Sequence, residues 1–117
     1  MVKRVSLLCI LTLLLASIGL ARIRDGSKDV SAAGTAEALT SSTVRAVWVT
    51  IQAKTDNTGY VYVGASTVSS SRGVQLAAGD SITFPVVEKR YTYDLNAIYV
   101  DAATNGDGVV WVAEVRP

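Results

Sequence analysis

The residues of this 117-residue chain with the most chemistry to offer are four aspartates, Asp80, Asp94, Asp101 and Asp107, and the serine run Ser69-Ser70-Ser71. Each lacks a partner that would make it reactive. The chain has no histidine, which removes the usual general base near neutral pH and the commonest metal ligand. A serine nucleophile needs an adjacent base; Lys54 or Lys89 is what remains for a Ser–Lys arrangement, and loop serines are the simpler reading. Glycoside hydrolysis needs two carboxyl groups facing one cleft. Each of the four aspartates instead sits in or beside a turn, where an aspartate bonds to nearby backbone. Asp101, Asn105 and Asp107 place oxygens around one loop, but their spacing departs from the twelve-residue calcium loop. The glycines Gly59, Gly64, Gly73, Gly79, Gly106 and Gly108 are spread over several turns and do not cluster as a phosphate cradle. The expectation is a non-enzyme with no catalytic residues, no cofactor and no metal site.

The aromatic residues are the better lead. Trp48, Tyr60, Tyr62, Tyr91, Tyr93 and Tyr99 are many for a small domain, and aromatic anchors dominate interface energetics. They are the candidate interface set, for a protein partner or for carbohydrate; the competing reading is half-buried structural residues on strand faces. Cys9 is the single cysteine, so an intramolecular disulfide is impossible and a secreted disulfide scaffold is excluded. Of the eleven Lys and Arg residues, Lys3 and Arg4 lie before residue 22, leaving nine against ten Asp and Glu. That balance shows no basic excess or stripe of the kind a nucleic-acid binder carries.

The elements that must position these side chains are strands. Residues 1–21 form a separate hydrophobic segment: Lys3 and Arg4 precede an apolar run from Val5 to Ala21, and Arg22 and Arg24 follow it. A basic start, a leucine-rich centre and small residues before position 22 fit a cleaved signal. Seventeen residues at the short limit of a bilayer span also fit an anchor, and a hydrophobic arm buried in an assembly is the third reading. Residues 22–43, rich in Ser, Ala, Gly and Thr, read as an extended lead-in arm with one short edge strand near 29–32 or 36–39. Residues 44–117 read as the folded domain. Val47, Val49, Ile51 and Ala53 alternate with Trp48, Thr50 and Gln52, the period of a half-buried strand. Residues 54–58 then read as a hairpin turn into Tyr60-Val61-Tyr62-Val63, with the valines inward, the tyrosines outward and Gly59 free to take positive φ. Short strands follow at 74–76, 81–86, 97–102 and 109–115, with Pro85 marking an edge or bulge and 87–93 a loop crossing between sheets. Seven or eight short strands with turns every eight to twelve residues describe an all-β fold, a single small β-sandwich of jelly-roll type.

Several stretches resemble small β-sandwich structural proteins of tailed bacteriophages. They are Ala21-Arg22-Ile23-Arg24-Asp25-Gly26 and the residues that follow to Leu39, then Val49-Thr50-Ile51-Gln52-Ala53, Asn57-Thr58-Gly59-Tyr60-Val61-Tyr62-Val63-Gly64, Gly73-Val74-Gln75-Leu76, Gly79-Asp80-Ser81-Ile82 and Leu95-Asn96-Ala97-Ile98-Tyr99-Val100-Asp101-Ala102. The resemblance covers residues 22–115 and implies a capsid decoration (cement), head-fibre or other accessory component of a virion. Such a component is a homo-oligomer touching other capsid subunits, with no nucleic acid bound. It brings no catalytic residues. Residues 1–21 depart from that pattern and keep a second expectation open, an exported or membrane-anchored sandwich that binds carbohydrate through its aromatics.

Overall fold

The computed structural model describes residues 22–116, so the signal, anchor and arm readings of residues 1–21 lie outside the described residues. Nine strands and one 3₁₀ turn make up this part: β1 Arg22–Asp29, β2 Glu37–Ala38, β3 Arg45–Ala53, β4 Val61–Gly64, β5 Val74–Leu76, β6 Ser81–Phe84, β7 Tyr93–Asp94, the 3₁₀ turn Leu95–Ala97, β8 Tyr99–Ala102 and β9 Gly108–Val115. One sheet runs β1-β9-β3-β6, with β7 extending the β3 pairing, and the other runs β2-β8-β4-β5. All pairings are antiparallel. The pairs β1–β9, β2–β8, β3–β6 and β4–β5 are the rungs of one long hairpin. Rolling that hairpin brings β9 against β3 and β8 against β4. This is the jelly roll, the expected fold class, with β7 as an addition.

The core follows from period-two alternation on two facing sheets. Val49, Ile51 and Ala53 of β3 and Val109, Trp111, Ala113 and Val115 of β9 meet Val61 and Val63 of β4 and Val100 and Ala102 of β8, all within one buried cluster. Ile82 and Phe84 pack onto it from β6. A bulge between Ala46 and Trp48 inserts Val47 into β3 and leaves Ala46 and Val47 both buried. Pro85, with no N–H to donate, follows the last paired residue of β6.

Four expectations change. First, 54–60 is not a hairpin turn, because β3 and β4 lie in different sheets; it is a crossover, and the hairpin partner of β4 is β5. Second, Gly59 does not take positive φ, whereas Gly34, Gly73, Gly79 and Gly106 do. Gly59 is instead a close approach, where a Cβ would lie 3.0 Å from Thr104 Oγ1. Third, the lead-in is part of the sandwich. All eight residues of β1 pair with β9, from Arg22 opposite Val115 to Asp29 opposite Gly108. Its strand character was hidden because its inward positions, opposite the buried side chains of β9, are Arg22, Arg24, Gly26 and Lys28. No apolar alternation exists there to be read. Fourth, the crossing between sheets expected at 87–93 is absent, since the 85–92 loop links β6 to β7 and both pair with β3 in the same sheet.

Candidate functional site

The aspartates hold the loops together. Asp107, buried, accepts from the N–H of Gly59 at 2.8 Å and of Thr58 at 3.1 Å. Asn57 closes the same junction, its Oδ1 accepting from Gly108 N–H and its Nδ2 donating to Gly108 C=O, both at 2.9 Å. Gly108 is required here because a Cβ would run into the backbone of Lys28 and Asp29. Asp101, the other buried carboxylate, accepts from Gly34 N–H at 2.9 Å and Ala102 N–H at 2.8 Å. Asn105 Oδ1 accepts from Ala33 N–H at 2.7 Å. Asp80 accepts from Ala77 N–H, and Asp94 from Asn96 and Val44 N–H. The oxygens of Asp101, Asn105 and Asp107 are thus aimed at separate backbone amides. Among the described residues no group of three His, Cys, Asp or Glu side chains is placed to share an ion.

The six aromatics do not share a face. Tyr60 is exposed on the 54–60 crossover and Tyr91 on the 85–92 loop, at opposite ends of β3. Tyr93 packs edge-on against Phe84, ring centroids 5.5 Å apart, and donates its hydroxyl to Pro85 C=O at 2.7 Å. Trp48 and Tyr99 are half-buried on strands of different sheets. Tyr62, expected outward, is buried. It lies on β4 between Asp101 of β8 and Gln75 of β5, and Gly34 of the loop between β1 and β2 is pinned to that Asp101. Central position and an overlying loop override the alternation.

What the structure gathers instead is charge. Strands β1, β3, β6 and β9 define two ends. At one lie Asp29, Lys54, Asp56, Asp80 and Asp107, around the 54–60, 77–80 and 103–107 turns. At the other lie the start of β1, the start of β3, the end of β9 and the 85–92 loop. There Arg22, Arg24, Arg45 and Arg116, with Thr43, Val44 and Val115, line a cavity of about 250 Å³. Among the described residues the ion pairs are Lys28–Glu37, Lys54–Asp29 and Arg90–Glu88. None involves those four arginines. The carboxylate nearest in register, Asp94 opposite Arg45, caps the 3₁₀ turn. The same end exposes Val86, Val87 and Tyr91, with Val87 at 77% the most exposed large apolar residue described. Arg90 lies over the Tyr91 ring, 5.1 Å from its centroid. Near-zero net charge concealed this segregation.

Between the ends, Lys28 of β1 and Glu37 of β2 join the two sheets at one edge, 3.0 Å apart. Glu37 also accepts from Ser31 N–H and Oγ and from Ala32 N–H. Burial would raise its carboxyl, but the Ala32 amide, the Lys28 ammonium and the Ser31 hydroxyl outweigh that and hold it below the ordinary glutamate range. Beside this clip a groove of about 640 Å³ opens between β1 and β2, with Trp111 among its lining residues. Gly26, opposite Trp111, leaves room for the indole; a Cβ there would sit 2.6 Å from it.

Comparison with protein-family models, with curated proteins and with solved structures finds no match.

Proposed function

We propose that this chain is a non-enzymatic structural subunit that works by protein–protein contact, an accessory component of a phage particle such as a capsid decoration protein. The observation that carries the reading is β1. It is an eight-residue strand at the edge of its sheet, paired on one side to β9 and, among the described residues, unpaired on the other. An open row of N–H and C=O groups is a template for a strand of another subunit. Ile23, 64% exposed on that strand, offers an apolar contact beside it. The particle is proposed from the resemblance of the sequence stretches to phage sandwich proteins, and jelly rolls recur in capsid and lectin domains, which is fold-level analogy.

The described carboxylates do not favour an enzyme, since Asp80, Asp94, Asp101 and Asp107 are bonded to backbone amides. The dispersed aromatics do not favour a flat carbohydrate platform. The test is sedimentation of the purified chain with bare capsids of the phage that encodes it. Co-sedimentation that saturates at a fixed ratio to the capsid subunit is expected. A chain that stays in the supernatant overturns the reading.

A further inference from the structure

We propose that the arginine end of the sandwich binds the anionic headgroups of a membrane surface, with Val86, Val87 and Tyr91 entering the interfacial layer beside them. Three independent features meet at this end. The first is charge without partners: Arg22, Arg24, Arg45 and Arg116 line one cavity, and none makes an ion pair among the described residues. Guanidinium groups present a donor fork that matches phosphate and carboxylate oxygens. The second is an exposed apolar loop carrying its own cations, Lys89 and Arg90, around Val86, Val87 and Tyr91. A tyrosine with an apolar body and a polar tip suits the membrane–water boundary. The third is in the sequence: the apolar run from Val5 to Ala21 joins the sandwich at Arg22. The run is thus joined covalently to this end of the sandwich and not to the other.

The acidic groups nearby do not cancel the arginines. Glu88 is paired with Arg90, Asp94 caps the 3₁₀ turn, and Asp25 of β1 and Glu114 of β9 lie on the other face of the sheet, Asp25 on the side of Ile23 and Glu114 opposite Ile23 and Trp48. A second copy of the chain is a poorer occupant. Its acidic end has already committed Asp29 to Lys54, Asp80 to Ala77 N–H and Asp107 to the crossover amides, which leaves Asp56.

The test uses the full chain with vesicles of phosphatidylcholine alone and with phosphatidylserine added. The apolar run and the Lys3 and Arg4 ahead of it are common to wild type and variants, so the arginine end is read from the change in the anionic excess on substitution. Expected is tighter binding to the anionic vesicles, an excess that vanishes as salt is raised, because such attraction dies within a Debye length. Each arginine replaced by glutamine lowers that excess about fivefold. The combined R22Q/R24Q/R45Q/R116Q chain keeps only the part of the excess that Lys3, Arg4, Lys89 and Arg90 supply, and the matching set of lysine replacements keeps most of the wild-type excess. Equal wild-type binding to both compositions overturns the proposal, and that measurement needs no variant to fold. An unchanged anionic excess in the glutamine variant also overturns it. Displacement from the vesicles by polyglutamate at equal charge concentration assigns the arginines to an acidic protein and overturns the lipid assignment. The proposal does not rest on the capsid role: the vesicle and capsid assays fail separately.

Discussion

The two ends of the sandwich use charge in opposite ways. At the acidic end Asp107, Asp80 and Asp29 are consumed internally, by amides of the crossing loops and by Lys54. At the basic end four arginines surround a cavity and engage no carboxylate among the described residues. A charge bonded within the fold contributes to stability and is withdrawn from recognition; a charge left over contributes little to stability and stays available to a partner. The first kind should be costly to remove and the second nearly free.

The largest effect should come from Asp107→Ala, which leaves the Thr58 and Gly59 amides without their acceptor. Hydrogen bonds to a buried charge make this a loss of about 3 kcal/mol, read as a lower urea midpoint with unchanged slope. A loss below the error of the midpoint would erase the contrast between the ends. Gly26→Ala, midway along β1, forces the buried Trp111 indole to move and should cost about 1–3 kcal/mol, with a change in the near-ultraviolet circular dichroism of tryptophan. Glu37→Gln should cost less than about 1 kcal/mol, since the clip is partly solvated. Its sign with pH is fixed: the folded carboxyl is held low, so its contribution is complete above the ordinary glutamate pKa and is lost as pH falls through the folded value. Urea midpoints of wild type and variant should therefore converge as the pH is lowered from 7 towards about 3. The smallest effect belongs to Arg45→Gln or Arg116→Gln, within about 0.5 kcal/mol of wild type. A large destabilisation there would show that these arginines are structural after all.

Legibility in the sequence followed the apolar alternation. The alternating stretches of β3, β6 and β9 stood out because one face of each enters the core, and the jelly-roll class followed from their number and spacing. The turn role of Asp80 and Asp107, each beside a glycine, was also readable, whereas Asp101, whose alternation put it outward, is buried on β8 and bonded to Gly34 N–H of an overlying loop. Strand β1 was not readable, because arginine and lysine occupy the positions that normally announce a buried face. The β3–β4 link misled for a different reason: a turn of polar residues between two alternating runs looks the same whether the chain pairs with itself or changes sheet. Tyr62 was misplaced because alternation says which side a residue takes and not what covers that side. The segregation of charge was invisible to totals and to local runs alike. Arg22 and Arg116 stand at opposite ends of the described chain and come together only when β1 pairs with β9.

That pairing also imposes a schedule. Strand β9 lies between β1 and β3 and holds both by hydrogen bonds, yet of the described strands it is the last to be synthesised. Until residues 108–115 have been synthesised, β1 has no neighbour in its sheet, and the closure is among the most sequence-distant in the molecule, the kind that slows folding. The apolar run ahead of Arg22 is thus presented to the cell on a chain whose sandwich cannot yet be closed.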